Sequence, residues 1–278
     1  MLYLTLMGDG RLSRVDQIGL QNYLTVKLPL FIMLAVCQKN TKQICIFIKR
    51  MGQWIIEAHT VLNLRNLRAE EVLKQAYMDV FINCPFDDSY YILLKHMIFT
   101  VLFLGHKPRL ALEETDCSGV RIAKIMSLIE SSHISIHDIS RMRASRKGEY
   151  SRLNLSFELG LDFGCKRYFE SMQGKKMLIL EKDRYDYQKS ISDISGFDIK
   201  HHNNDSTKLI EVLRNWFVEN QLSICKSSPN TIFNNYCYFS ADLYDKRKGS
   251  GYTEESLNEL PIAELTLEMT QWIKSTHK

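Results

Sequence analysis

The sequence lacks an apolar run long enough to cross a membrane. The longest such run, residues 28–37, is interrupted by Pro29 and falls far short of the roughly 20 residues that a membrane-spanning helix needs. It also lies too far along the chain for a secretory signal, which starts at the extreme N-terminus. The sequence therefore predicts neither a membrane-spanning helix nor a secretory signal.

Several chemical motifs are also missing. The seven cysteines are an odd number and include no Cys-x-x-Cys pair, which argues against a disulfide framework or a zinc ribbon and favours the reducing cytoplasm. The glycine-rich patterns GxGxxG and GxxxxGK(S/T) are absent, which disfavours dehydrogenases and P-loop enzymes. Two histidine pairs, His133 with His137 and His201 with His202, have no cysteine or carboxylate at ligand spacing, so we predict no metal site.

An excess of charge of one sign is missing as well. Lysine and arginine number 36 against 32 aspartates and glutamates, which gives a net charge of +4. Direct nucleic-acid binding normally shows a clustered basic stripe, so we predict no nucleic-acid partner. The 278 residues, 45% of them hydrophobic, suffice for one large domain with extensions.

What the sequence does contain is a regular alternation of strands and helices between residues 78 and 222. Strands are predicted at 79–84, 108–112, 134–139, 176–180 and 198–201, and helices at 89–104, 120–129 and 207–222, with a further helix that opens at Asn154. Such alternation implies right-handed βαβ units and a parallel sheet. We predict a flavodoxin-like α/β domain, a parallel sheet of about five strands with helices on both faces.

Two extensions flank the predicted domain. Residues 1–77 contain strand-like runs at 23–26 and 44–48 and helical periodicity at 62–77 without a motif, and Met78 is an alternative natural start. Residues 223–278 begin polar and turn-rich, with a flexible basic loop predicted at 246–251 and helical character at 253–272. They are predicted to form a C-terminal helical extension that packs on the domain or recruits a partner.

The helix that opens at Asn154 carries the most informative residues. Asn154 is a good N-cap. Gly160 and Gly164 are costly inside a helix, which predicts that a close-packed strand or a ligand needs the smooth surface they leave. Apolar residues recur at helical spacing and predict a buried face: Leu155, Leu159 and Phe163.

The polar loops of the predicted sheet converge at one place. In a sheet of strand order 2-1-3-4-5, ligands bind beyond the carboxyl ends of the strands, between the first and the third strand. The loops at that point are 83–88 and 138–141. Glu158, on the helix after the third strand, reaches the same edge, so we predict a ligand site there.

These segments resemble a known family. DVFINCPFDD at 79–88 is similar to the first strand and acidic loop of Toll/interleukin-1-receptor (TIR) domains, and IHDIS at 136–140 followed by LNLSFELGLDFG at 153–164 resembles bacterial TIR-like nucleotide-binding proteins. Nucleoside 2-deoxyribosyltransferases share this arrangement of strand, helix and glutamate. The resemblance covers roughly residues 79–217. It implies that Glu158 matches the glutamate that cleaves the nicotinamide glycosidic bond of NAD in TIR enzymes, and the nucleophile of the deoxyribosyltransferases.

A single carboxylate suffices for this chemistry. Cleavage of an N-glycosidic bond passes through an oxocarbenium-like transition state, which one carboxylate can stabilise or trap. Nicotinamide leaves NAD from a cationic pyridinium, so no general acid is required. Glu158 is therefore the predicted catalytic residue, and its alternative interpretation is an acid that complements the helix dipole.

The other predicted site residues have two interpretations each. Asp138 is assigned to the catalytic pair, where it binds a ribose hydroxyl or orients Glu158; otherwise it is a turn residue. Phe86 would stack on a base or belong to a packed turn, and Arg141 would meet phosphates or lie in a solvated basic loop. The predicted substrate-binding set is Asn83, Phe86, Asp87, Arg141 and Asn154.

Three functions follow from the resemblance. The first is an NAD-consuming glycohydrolase that acts as a cytoplasmic effector of bacterial antiviral defence or abortive infection, with NAD as substrate and no cofactor. The second is a nucleoside or nucleotide N-glycosidase or a 2-deoxyribosyltransferase. The third is a non-catalytic module that binds a nucleotide or assembles with like domains. A homo-oligomer or an activating partner is expected, because many TIR-type enzymes need assembly to complete their sites.

Overall fold

A computed structural model describes residues 3–6, 12–15, 78–113, 119–142 and 151–276. The chain divides into two units, Met1–Glu70 and Glu71–Lys278. In the first unit, strand β1 (Tyr3–Leu6) pairs with strand β2 (Leu12–Val15) in antiparallel orientation. The strands predicted at 23–26 and 44–48 and the helix predicted at 62–77 lie outside the described residues.

The second unit alternates strands and helices along most of its length. Its strands are β3 (Asp79–Asn83), β4 (Lys107–Arg109), β5 (Ile134–Asp138), β6 (Lys176–Glu181) and β7 (Lys200–His201). Its helices are α1 (Asp88–Phe103), α2 (Arg121–Ser131), α3 (Leu153–Tyr168), α4 (Ser206–Glu219), α5 (Pro229–Lys248), α6 (Glu254–Asn258) and α7 (Ile262–Thr276). None of the described helices is both long and apolar enough to cross a membrane.

The five strands of this unit form one parallel sheet in the order β4-β3-β5-β6-β7. Counted in the order in which they occur along the chain, the strands lie 2-1-3-4-5. Asn83 at the end of β3 is in register with His137, the penultimate residue of β5. The prediction of an α/β fold with a five-stranded parallel sheet is confirmed, and the carboxyl ends of β3 and β5 lie side by side.

Helices cover both faces of the sheet, and the two faces receive alternate side chains of each strand because successive side chains point in opposite directions. Val80 and Ile82 of β3 belong to a large core that includes residues of α1, α4, α5 and α7. Phe81 points the other way and packs in a cluster with residues of α2 and α3, among them Ile125 and Cys165. Strand β3 is therefore buried on both sides, as its continuous apolar sequence requires.

The C-terminal region differs from the prediction of a turn-rich segment with a flexible basic loop. Helix α5 runs through residues 229–248, so the first residues of the predicted loop form its last turn. The basic side chains there suit the negative end of the helix dipole. Phe239 of α5 and Trp272 of α7 lie against Phe99 of α1. Because these rings share the large core of the second unit, the two helices are part of its packing.

The start of α5 is set by its capping residue. The Ser228 side chain accepts a hydrogen bond from the Thr231 N–H, and Pro229 occupies the first turn, where no N–H is needed. Ser228→Ala should therefore lower the free energy of unfolding by about 1 kcal/mol, and Ser228→Asp, which keeps an acceptor, should be nearly neutral. Urea unfolding of the three proteins checks this, with the exposed Ser250→Ala as control. Equal loss in the alanine and aspartate variants would contradict the cap.

Candidate active site

The candidate site lies where β3 and β5 end. Residues 83–87 complete and follow β3, residues 138–141 complete and follow β5, and the first turn of α3 is hydrogen-bonded to Asn83 at the same edge of the sheet. Burial raises the pKa of the Cys84 thiol well above its ordinary value, and the negative charges of Asp138, Glu158 and Asp87 raise it further. The negative charges of all three carboxylates therefore act on one thiol. The structure brings together the residues that the sequence assigned to a single edge, and it makes Cys84 a poor nucleophile because the charged thiolate is disfavoured.

Glu158 faces the interior of the protein. It is only 6% exposed and shares the buried face of α3 with Leu155, Leu159 and Asp162. The helix begins at Leu153, so Glu158 lies beyond its first turn. The helix dipole acts most strongly on charges within that first turn. The helix-dipole interpretation of Glu158 is therefore disfavoured, since that role needs neither this depth nor this position.

The environment of Glu158 contains opposing influences on its protonation. Burial raises the pKa of this carboxyl group, while the positive charge of Arg121 and a hydrogen bond from the Asn154 side chain act to lower it. Burial prevails, so the pKa of Glu158 lies above its ordinary value. Because a buried carboxylate is poorly solvated, it interacts strongly with a positive charge that develops beside it.

Asn154 does not cap α3 as predicted. Arg152 is the capping residue and makes no side-chain capping bond, whereas Asn154 is exposed within the first turn. From there its side chain reaches Glu158, which is four residues later and thus one turn along the same face. The prediction placed the N-cap two residues too late, and the correction turns Asn154 from a cap into a neighbour of Glu158.

One further expectation for α3 is wrong, and one of two alternatives for its glycines is disfavoured. Phe163 is 44% exposed, although it was predicted to be buried with Leu155 and Leu159. Asp162 takes the inward position of the third turn instead. A Cβ atom added at Gly160 or Gly164 would meet nothing within 4 Å among the described residues. Neither glycine is therefore required by a close-packed strand.

Asp138 is a completely buried carboxylate that protein donors surround. One oxygen accepts from the Ser140 N–H at 2.9 Å and from the Ser140 hydroxyl. The other accepts from the Tyr90 hydroxyl and lies 2.9 Å from His202 Nε2. Burial alone would raise the pKa of Asp138, but His202, Ser140 and Tyr90 together hold it below its ordinary value. Because both oxygens are engaged by Ser140, Tyr90 and His202, this geometry favours a structural role of Asp138 in the loop after β5 over contact with a ribose hydroxyl.

His202 is a site residue that the sequence did not indicate beyond a rejected metal pair. The Asn204 N–H donates to His202 Nδ1 at 3.1 Å, so Nε2 carries the proton that faces Asp138. Asn203 and Asn204 have φ angles of 54° and 58°, a left-handed conformation that asparagine tolerates better than most residues. The Asn-Asn pair after a strand is the sequence signal for the turn that holds His202.

Arg141 and Asp87 join the two loops of the site. Arg141 Nε and Nη2 each donate to one oxygen of Asp87 at 3.0 Å, and Nη2 also donates to the Ser89 hydroxyl at 2.6 Å. This two-point ion pair links the loop after β3 to the loop after β5. Arg141 was predicted to meet phosphates, and here its charge is paired with Asp87. Phe86, beside this pair in sequence, is 38% exposed and stays available for stacking.

Asn83 and Arg121 complete the surroundings. Asn83 is buried, and its side-chain amide donates to the Leu155 carbonyl oxygen at 2.9 Å, while its own Oδ1 has no hydrogen-bond partner among the described residues. Arg121, the exposed first residue of α2, was not predicted as a site residue. Its only sequence signal is its position at the start of a helix that follows an inner loop of the sheet.

The arrangement provides one buried carboxylate, Glu158, on which the positive charge of Arg121 and the side chain of Asn154 act. Within the described ranges, no group of three or more histidine, cysteine, aspartate or glutamate side chains is arranged to hold a metal ion. Such a site is suited to stabilise a positive charge that develops on a bound molecule. Comparison of the chain with models of protein families, with curated proteins and with solved structures finds no significant match.

Proposed function

We propose that this protein is a TIR-like N-glycosidase that cleaves the bond between nicotinamide and ribose in NAD. The observation that carries the proposal is the buried Glu158 on the inward face of α3, at the edge where β3 and β5 end. The strand order 2-1-3-4-5 supports it, because flavodoxin-like folds have this order and bind ligands at that edge. The motif resemblance of residues 79–88 and 153–164 supports it independently.

In the proposed reaction, the bond between the ribose carbon and the pyridinium nitrogen breaks, and the bonding electrons leave with nicotinamide. The sugar becomes an oxocarbenium ion that the ionised Glu158 stabilises or traps as a covalent intermediate. Water then adds to the same carbon and gives ADP-ribose and a proton. Asp138 keeps the loop after β5 in place through Tyr90 and His202, and Glu158 alone faces the developing charge.

The proposal extends to the cellular role. An enzyme that depletes NAD in the cytoplasm would act as an effector of antiviral defence or abortive infection, and it would need to be held inactive until an activating partner or self-assembly completes its site. The test of the biochemical activity must therefore favour assembly. The purified chain is incubated at high concentration with a crowding agent and NAD, and in parallel with nucleosides and nucleotides, and the products are separated by chromatography.

Release of nicotinamide together with ADP-ribose is the expected result. Release of a different base from a nucleoside or nucleotide, with no action on NAD, would replace the proposal by a nucleoside N-glycosidase or deoxyribosyltransferase. Binding of a nucleotide without any product, measured by calorimetry under the same conditions, would favour a non-catalytic module. Each outcome assigns the site to one chemical class.

The pH dependence of turnover should respond to the neighbours of Glu158. Turnover requires the ionised carboxylate, so it should fall as the pH falls through the pKa of Glu158. Asn154→Ala removes a hydrogen bond that lowers this pKa, so the acidic limb of the pH–rate profile should move to higher pH. Asn154 is exposed in a helix, where alanine is favourable, and the fold should tolerate the change. The exposed Asn234→Ala on α5 is the control, and an unmoved or oppositely moved limb would contradict the contact.

A further inference from the structure

Three polar side chains that can carry charge are completely buried on the α3 side of the sheet. His137 of β5 places Nε2 2.8 Å from one oxygen of Asp162 of α3. Lys175, which precedes β6, places Nζ 2.6 Å from the other oxygen. The same ammonium group donates to the Ile129 carbonyl oxygen of α2 at 2.8 Å. All three side chains have no exposed surface, and none of them belongs to the proposed chemistry.

Asn83 connects these side chains to the first turn of α3. Its amide nitrogen lies 3.1 Å from His137 Nδ1 and donates to the Leu155 carbonyl oxygen at 2.9 Å. Because Nδ1 receives the amide proton, the proton of a neutral His137 resides on Nε2 and points to Asp162. The resulting network runs Lys175, Asp162, His137, Asn83 and then the backbone of α3. It is called the α3 anchor below.

The α3 anchor holds the helix at two points on either side of Glu158. Leu155 lies three residues before Glu158, and Asp162 lies four residues after it on the same face. The first point is attached to the end of β3, and the second to the end of β5. The rotation of α3 and its position along its own axis are thereby set against the two strands whose ends form the candidate site.

Apolar packing alone would set this position less strictly. Buried charged networks stabilise proteins poorly, because apolar side chains of similar volume often serve as well or better. Their hydrogen bonds are directional, however, and the apolar contacts of Leu155 and Leu159 are not. Added Cβ atoms at Gly160 and Gly164 would meet nothing within 4 Å among the described residues, so no closely packed neighbour fixes the helix at these two positions.

We propose that the α3 anchor is a positioning device that holds Glu158 at the ends of β3 and β5. The four side chains act through Glu158 and do not touch the substrate in this role, with Asn83 linking the anchor to the end of β3. The inference rests on the proposed function in so far as Glu158 is the group that meets the reacting sugar. Its structural part, the fixing of α3, stands without that function.

Two substitutions of His137 separate positioning from general packing. Glutamine can donate to Asp162 through its amide nitrogen and accept from Asn83 through its oxygen, so His137→Gln should retain turnover to within a few-fold. His137→Leu fills the space and removes both hydrogen bonds. It should lower kcat by about 10-fold to 100-fold with KM changed by less than about twofold, because small misplacement of a reacting group costs rate. Equal rates in the two variants would overturn the inference.

Hydrogen exchange supplies a readout that does not depend on turnover. His137→Leu should accelerate amide exchange in the middle of α3 by about 10-fold and leave α1 unchanged, whereas His137→Gln should leave both helices as in the wild type. Equal acceleration in α1 and α3, or none in α3, would overturn the inference. If the wild type releases no base from any substrate, the proposed function fails and the exchange data still decide the positioning role. Should His137→Leu not fold, Lys175→Met takes its place with the same expected contrast between α3 and α1.

Discussion

Replacement of Glu158 by glutamine should reduce nicotinamide release from NAD by at least about 100-fold. Glutamine has the shape of glutamate and still fits beside Asn154, so the change removes little besides the negative charge. That charge is what the proposed mechanism uses, because the oxocarbenium ion forms next to it. The loss should appear in kcat more than in KM, since the interaction strengthens only as the bond breaks.

A stability measurement on the same variant distinguishes lost chemistry from lost structure. The pKa of Glu158 is raised by burial, which means that the ionised carboxylate is less favourable in the folded chain than in the unfolded chain and lowers the free energy of unfolding. Glu158→Gln should therefore be at least as stable as the wild type in urea unfolding at pH 7. Such opposition between stability and activity is typical of functional residues. The matched control is Glu170→Gln, an exposed glutamate just beyond the same helix, which should change neither quantity.

Two results would contradict this assignment. Wild-type turnover by the Glu158→Gln protein would remove Glu158 from catalysis, whatever the substrate. A variant that loses both turnover and several kcal/mol of stability would show that Glu158 supports the fold, which the raised pKa speaks against. In the first case, the search for the catalytic group would move to the rim of the same edge, where Asp87 and Arg141 are partly exposed.

The strands could be predicted because short apolar runs between turn residues have few other interpretations. All five were located, and the inner ones differ from the structure by one residue at most. The outer two are shorter than predicted. β4 contains Pro108 and pairs on one side only, with β3, and proline cannot supply the N–H that a longer ladder needs. β7 is limited to the two residues that pair with β6.

The convergence of the site could also be predicted, because the carboxyl ends of adjacent parallel strands lie at one edge. The hydrogen-bonding and charged partners of Asp138 and Glu158 could not be predicted from the sequence. Tyr90 and His202 are 48 and 64 residues from Asp138, on opposite sides of it along the chain, and no local pattern relates such positions. The same holds for the influence of the Arg121 charge on Glu158, which depends on how α2 and α3 lie against the sheet.

The two errors in helical segments have different causes. The N-cap of α3 is Arg152, which makes no side-chain capping bond, although local preference favours an asparagine such as Asn154. Capping preference alone therefore does not decide where α3 begins. Helix α5 was missed because its sequence is rich in asparagine, tyrosine and lysine and offers little apolar periodicity. Only Ile232 and Phe239 are fully buried in it, and the other contacts come from half-buried rings such as Tyr236. Tertiary packing therefore stabilises a helix that its own sequence indicates weakly.

Asp138→Ala should destabilise the protein by about 3–5 kcal/mol, because it leaves several buried donors without their acceptor, and each unsatisfied donor costs about 1–3 kcal/mol. The substitution would leave the Tyr90 hydroxyl, the His202 Nε2–H and the two donors of Ser140 without their acceptor. Asp138→Asn, which keeps one acceptor oxygen, should lose less. The control is Asp198→Ala, because Asp198 is 86% exposed in its pair with Lys200 and such surface pairs contribute about 0–1 kcal/mol.

The pH dependence of this loss tests its electrostatic origin. The pKa of folded Asp138 is held below its ordinary value, so its stabilisation is fully present above the unfolded value of about 3.9 and is lost as the pH falls through the folded value. The gap in unfolding free energy between wild type and Asp138→Ala should therefore be constant from about pH 5 to 7 and narrow below about pH 4. If the difference in unfolding free energy persists unchanged at acidic pH, the alanine variant is less stable because packing is lost and not because the charge of Asp138 is lost. A gap that narrows would establish the ionised Asp138 as the centre that holds α1, the loop after β5 and the turn after β7 together around the candidate site.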